Sequence, residues 1–453
     1  MLVVLSDLHL ADGSAGEHNL KPQVYEDLLD QISDAHAKVR QFNPNSHVEI
    51  VYAGNVFEMR RTHYWFESAE HKPWRHHGVV EGKDHANPPA STEYLQKAVQ
   101  LFTRIMTHEN VAPIKGILGD KLADRFGGVE PLRAYLPGDA DRLINMDEGL
   151  RARVIDFLGL DLGRTQTWNP AYRFPNEWLD PNHGVLIRHG HEHDVYSFEG
   201  DPSNPSDYDN VPMSDLITTE LFARLTYEAS LLPADGVSQE VLDKFRRDLE
   251  QIDNVRPTSS IVKWLARHFS SADEKRLLGA CVDRALNNYN NQEYVKWWLS
   301  SAGHDSMWTP FDEADRIESL LEGLKRIWMG KSDLAMKVYE KFASYDPYAR
   351  YLDHASQEAK LAEAGSKVQY VVYGHTHHAE HVPLGHVGEG ADRRMAHYVN
   401  VGSVRPTHTV TRDGADFFVN EALDFAIFYK QDEKPGADGP TFELRTVKRS
   451  RQR

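Results

Sequence analysis

Four short apolar runs, at residues 2–5, 48–52, 185–187 and 368–373, each stop at a turn dense in polar, glycine or histidine residues. Runs of this length, bounded by turn signals, read as strands buried on both faces, the pattern of a parallel sheet. Helical spacing fills the gaps between them: Tyr25, Leu28, Leu29 and Ile32 recur on one face, as do Leu95, Val99, Phe102 and Met106, and Leu150, Val154, Phe157 and Leu158. The chain is therefore expected to be α/β. In such sheets ligands gather at the carboxyl ends of the strands, so four strands ending in candidate ligands point to one shared site.

The character changes near Asp201-Pro-Ser-Asn-Pro-Ser-Asp, a turn-rich entry. Helical patterns then follow at 216–232, 239–252, 260–269, 274–288, 314–329 and 334–345, and strand patterns return after Gly365 at 396–401, 425–429 and 441–447. This divides the chain into a discontinuous core, 1–200 with 366–453, and a large, mostly helical insertion or cap at 201–365. Residues 65–89, rich in His, Pro and charge, read as a long loop. Trp297, Trp298, Trp308 and Trp328 lie in the insertion, where they pack in its core or serve a homo-oligomer or protein partner.

Composition narrows the function. A net charge of -17 over 453 residues disfavours non-specific binding of long nucleic acid; the basic tail 448–453 reads as a solvated terminus. No apolar run approaches the ~18 residues a membrane span needs, and the first run reads as a strand rather than a leader. The single cysteine, Cys281, allows no intrachain disulfide. A cytoplasmic protein is expected.

Five motifs follow the strands in order. Ser6-Asp7-Leu8-His9 ends the first, where residues two apart on an extended chain face the same way. Gly54-Asn55-Val56-Phe57-Glu58 ends the second. Pro137-Gly138-Asp139-Ala140-Asp141-Arg142 comes next, then His189-Gly190-His191-Glu192-His193-Asp194, then Gly374-His375-Thr376-His377. Asn400-Val401-Gly402-Ser403 follows the last.

Taken in order, these resemble the motif series of the calcineurin-like metallophosphoesterases: Asp-x-His, Gly-Asp-x-x-Asp/Glu, Gly-Asn-His-Asp/Glu, His-Gly and Gly-His-x-His. The resemblance spans roughly residues 1–200 and 366–430. It implies a β-sandwich flanked by helices and two divalent metal ions, with Mn favoured over Fe, Zn or Ni. Asp7, His9 and His377 would hold the first metal. Asp139, His189 and His375 would hold the second, and Asn55 would bridge them. The implied catalytic residues are Asp7, His9, Asn55, Asp139 and His191. Asn400 and Ser403 would order loops, and Arg142 would reach a phosphate oxygen or a structural carboxylate. The implied reaction is hydrolysis of a small phosphoester or nucleotide by a metal-activated water.

The pattern departs from the family at three positions. Its bridging Asp is Asn55 here, its ligand Asn is Asp139, and its His is Ala140. The first two look like a swap that keeps the ligand charge and moves it. The third removes general-acid help, typically about 10²–10⁴-fold, which His191, His193 or Asp141 would have to replace. Two other functions follow from these observations: a catalytically impaired member that binds metal or nucleotide as a sensor, and a nuclease with a groove built from Arg60, Arg61, Trp65, Trp74 and Arg75.

Overall fold

The structure, a computed structural model, describes residues 1–67, 92–161, 169–290, 321–326, 349–361, 367–390, 393–412, 416–420, 422–436 and 439–448. Most of the loop expected at 65–89, the helices expected at 314–329 and 334–345 apart from 321–326, the four insertion tryptophans, Trp74, Arg75 and the end of the basic tail lie outside the described residues.

The fold is mixed α/β. Thirteen strands are described: β1 (Leu2–Leu5), β2 (Glu49–Ala53), β3 (Leu132–Leu136), β4 (Glu177–Asp180), β5 (Val185–Arg188), β6 (Val255–Arg256), β7 (Tyr370–Tyr373), β8 (Ala379–Val387), β9 (Arg394–Val401), β10 (Thr407–Val410), β11 (Phe417–Asn420), β12 (Ala422–Tyr429) and β13 (Thr441–Lys448). One five-stranded sheet has the order β13-β12-β1-β2-β3 and a second the order β4-β5-β7-β9-β8. In the first, β1, β2 and β3 run parallel. In the second, β5, β7 and β9 do the same.

The two-residue period of a strand explains why the central runs are apolar throughout. Leu2, Val4, Val51 and Ala53 face the second sheet, where they share one cluster with Ile187, Val372 and Val399. Their neighbours Val3, Leu5, Ile50 and Tyr52 face the other way, onto helices Pro22–Arg40, Thr92–Thr107 and Glu148–Leu158. The far face of the second sheet carries helix Ala349–Leu361, with Tyr351 and Ala355 against Val371, Tyr373 and Tyr398. The layers thus run helix, sheet, sheet, helix.

Residues 211–289 bury a separate apolar cluster, built by a helical run at 213–230 and helices Gln239–Leu249, Ile261–His268 and Ala272–Asn290. Ser238 caps the second of these by accepting from Val241 N–H. This unit is not purely helical, because β6 joins β10 and β11 in a small third sheet. Helix Ala349–Leu361 belongs by packing to the second sheet. Among the described residues no helix is long and apolar enough to cross a membrane.

Strand β3 escapes a reading by apolar runs because Arg133 interrupts it. The Arg133 guanidinium turns out of the sheet and donates to the Leu118 carbonyl at 2.7 Å. On the helix side, Phe57 meets Phe102 edge-on at 4.8 Å and Phe157 at 5.4 Å. All three are fully buried. Truncating Phe102→Ala is expected to lower the unfolding free energy by about 3–5 kcal/mol. A denaturation midpoint equal to the parent's contradicts this packing.

Candidate metal centre

The carboxyl ends of β1, β2 and β3 in one sheet meet those of β5 and β7 in the other. There the chain does something the sequence pattern does not announce. Among the described residues, six non-glycine residues have positive φ, and five of them are Asp7 (56°), His9 (48°), Asn55 (51°), His375 (66°) and His377 (58°). Left-handed backbone is sparsely populated by residues with a Cβ and clusters where function demands it. The expectation of an extended Asp-x-His is thereby corrected. Asp7 and His9 converge because each sits at a sharp left-handed turn, not because they share a strand face, and His375 and His377 repeat the device.

Backbone bonds lock the first two turns together: Asp7 N–H donates to Gly54 O, and His9 N–H to Asn55 O at 2.8 Å. The fifth turn closes over the first at Gly374, where a Cβ would fall 1.9 Å from Ser6 Oγ and 2.8 Å from Asp7 Oδ2. Glycine is therefore required at that approach.

The result is two adjoining groups of candidate ligand atoms, Asp7 with His9 and His377, all buried, and Asp139 with His189, both buried, and a partly exposed His375. In the first, Asp7 Oδ1 lies 3.4 Å from His9 Nε2 and 3.3 Å from His377 Nε2. In the second, Asp139 Oδ1 lies 3.3 Å from His189 Nε2 and 3.4 Å from His375 Nδ1. The groups approach to 4.0 Å, between Asp7 Oδ1 and His189 Nε2.

The donor set suits divalent cations. A ligand imidazole needs a lone pair on the inward nitrogen, which an acceptor on the outward nitrogen secures. His9 Nδ1 bonds Glu58 Oε2 at 2.9 Å, His189 Nδ1 bonds the Ala53 carbonyl at 2.8 Å, and His375 Nε2 bonds Asp194 Oδ2 at 3.1 Å. Burial alone would raise the Asp7 carboxyl, but the charges of His377 and His189 hold it well below the usual range. Arg60 and His375 do the same for Asp139. These buried His and Asp groups can bind metal ions.

Asn55 lies between the groups. Its Nδ2 donates to Asp7 Oδ1 at 3.1 Å and to Asp139 Oδ1 at 3.0 Å, while its Oδ1 accepts from Ala140 N–H at 2.8 Å. That last donor sets the amide's orientation. The side chain expected to bridge two cations through its oxygen instead presents its NH₂ to the two carboxylates.

The remaining expected residues are placed as follows. His191 packs behind the site, its ring 5.2 Å from that of His189 and 6.4 Å from that of His375, walled in by Phe198 and Tyr208. Burial pushes its imidazole down to about 4. His193 faces away and stacks on His354 at 4.2 Å. Arg142 pairs with Asp215 at 2.7 Å, a structural tie to the helical unit. Asn400 donates to Gly374 O at 2.7 Å and so pins the fifth turn, while Ser403 Oγ donates to Arg405 O at 3.2 Å. Arg60, Arg61 and Trp65 are buried rather than lining an open groove.

Four contributors were not expected in these roles. Glu58 and Asp194 orient His9 and His375. Arg60 places Nη1 2.8 Å from Asp139 Oδ2. Asp141 accepts from Val56 N–H at 2.9 Å and Gly138 N–H at 2.6 Å, tying the Asn55 and Asp139 turns together. The sequence signal for the first three is membership of a motif, for Glu58 and Asp194, or proximity to one, for Arg60; neither says which atom they meet.

Comparisons of this chain with protein-family models, with curated proteins and with solved structures return no match.

Replacing Asp7→Ala or His377→Ala is expected to lower bound metal, measured by elemental analysis of the purified protein; unchanged content in both removes these residues as ligands. Asn55→Asp sets a third carboxylate against Asp7 and Asp139 and deletes two hydrogen bonds. In chelator this is expected to cost about 2–4 kcal/mol of stability, with divalent metal restoring it. Equal stability of the two proteins in chelator refutes this account of Asn55.

Proposed function

We propose that this chain is a metal-dependent hydrolase of small phosphoesters, similar in its site to the calcineurin-like metallophosphoesterases. The observation that carries the reading is the adjacency of two Asp-His-His groups, built from the ends of both sheets and separated by one amide. Asp7, His9 and His377 would hold one divalent cation, and Asp139, His189 and His375 the other. Mn is favoured, with Fe, Zn or Ni compatible with the same donors. Such ions supply Lewis-acid stabilisation of a phosphoryl group and acidify a water enough for it to act as nucleophile near neutral pH.

The protein's own groups orient and constrain. Glu58 and Asp194 fix two ligand imidazoles. Arg60 holds the outer oxygen of Asp139 and keeps a fixed positive charge beside the site. Asn55 lets two carboxylates share a buried space by donating to both. Ala140 has no group to protonate a leaving oxygen. His191, enclosed by four rings, supports the ligand imidazoles from behind. Substrates whose leaving groups depart without a proton are therefore the ones this site is fitted to turn over.

The orientation of Asn55 favours a second reading, a protein that binds metal or nucleotide without turnover, because its NH₂ satisfies the two carboxylates in place of a bridging ligand. One experiment separates the two. Hydrolysis of nitrophenyl phosphodiester and phosphomonoester in Mn²⁺ is measured for this chain and for the triple variant Asn55→Asp, Asp139→Asn, Ala140→His. The hydrolase reading expects turnover by the chain itself, reduced at least 100-fold by Asp7→Ala. Turnover by the triple variant alone selects the binding protein. Absence of turnover in both, with metal bound, ends the hydrolase reading.

A further inference from the structure

Against the Asp7 group lies a cluster that the proposed chemistry does not use. Three arginines from separate segments converge there: Arg61 in the turn after β2, Arg256 in β6, and Arg405 between β9 and β10. Arg61 and Arg405 are each only 2% exposed. Both reach a single carboxylate, Asp253, at 3.1 Å and 3.3 Å from their Nη1 atoms. Arg61 is poorly served by it, since its Nε, Nη1 and Nη2 are all buried without a hydrogen-bond partner. Arg405 bonds Asn254 through Nη2, and its Nε is also unpartnered. Arg256 spends Nη1 on the carbonyls of Asp253 and Val255.

The next carboxylate, Glu58, is already committed. Its Oε2 holds His9, and its Oε1 accepts from the backbone N–H of Arg60 and Arg61. Asp253 thus serves Arg61 and Arg405 at once, with Arg256 held beside them by the Asp253 carbonyl. Burial, and then the charge of Arg61, push Arg405 down to about 9. His18 adds no charge: it is bonded to the Glu250 carbonyl and to Asn254 Nδ2, and burial with Arg61 and Arg405 holds it well below its ordinary range. Buried guanidinium donors left unmade are costly, and their planar fork matches a phosphate better than one shared carboxylate oxygen.

We infer that Arg61, Arg405 and Arg256 form a subsite for a second, non-reacting phosphate group of the substrate, whose place Asp253 takes in this structure. The substrate is then a small molecule carrying two phosphate groups, one at the metal centre and one on the arginines. Glu58 makes the two sites contiguous, because it touches His9 on one side and the Arg61 backbone on the other. The subsite rests on the hydrolase reading for the identity of its ligand as substrate, but phosphate binding to it does not.

The test is calorimetric titration of inorganic phosphate into the full chain with its metals. Two phosphates per chain are expected. Arg61→Gln is expected to weaken one of them at least tenfold, and Asp253→Asn, which removes the competing carboxylate, to tighten the same one at least threefold. A folding defect does not produce opposite shifts in the two variants. With active protein, the ratio of kcat/KM for an ester bearing a second phosphate to that for a simple monoester is expected to fall at least tenfold in Arg61→Gln. One Arg61-dependent phosphate, without turnover of any ester, keeps the subsite and sinks the hydrolase reading. Phosphate binding that is indifferent to both substitutions overturns the subsite, whatever the chain hydrolyses.

Discussion

Asp7 and Asp139 bring two carboxylate oxygens into one buried space, and a single amide, Asn55, reaches both. Like charges this close are tolerated away from water only if donors or cations compensate them. The surroundings meet that demand from every side. Four imidazoles, the Arg60 guanidinium, the Ser6 hydroxyl at 2.7 Å and the His375 N–H at 2.8 Å all address these two side chains. Much of the architecture near the strand ends can be understood as what holds this pair in place.

The two sheets are part of that requirement. Each supplies residues that the other lacks: Asp7, His9, Asn55 and Asp139 come from the ends of the first, and His189, His375 and His377 from the ends of the second. Their shared apolar face sets the distance between the two sets of turns. The helical unit is fastened to the same edge by buried charge, through Asp215 on Arg60 and Arg142 and Asp253 on Arg61 and Arg405.

Much of this was readable from the chain. The runs ending at Leu5, Tyr52, Ile187 and Tyr373 are strands because both of their faces are buried, which leaves a largely apolar signature. The residues of the two Asp-His-His groups were legible because they sit next to those runs and are chemically specialised. Strand β3 was not, because Arg133 breaks the signature while its charge is satisfied off the sheet. Arg60, Arg61 and Trp65 looked like a surface groove, since arginine is seldom buried; here Asp139 compensates Arg60, Arg61 shares Asp253 with Arg405, and Trp65 Nε1 donates to the Met59 carbonyl.

By itself, then, the sequence determined the α/β class, the strand ends that carry the clustered Asp and His side chains and the identities of the seven residues gathered there, because strand burial and side-chain chemistry are properties of short segments. Only the tertiary structure decided that five of these residues sit at left-handed turns, that Asn55 offers its nitrogen rather than its oxygen, that His191 packs against the His189 and His375 rings, and that Arg61 and Arg405 share one carboxylate. Each of those depends on contacts between segments tens to hundreds of residues apart, and no local pattern encodes which atoms of such segments will meet.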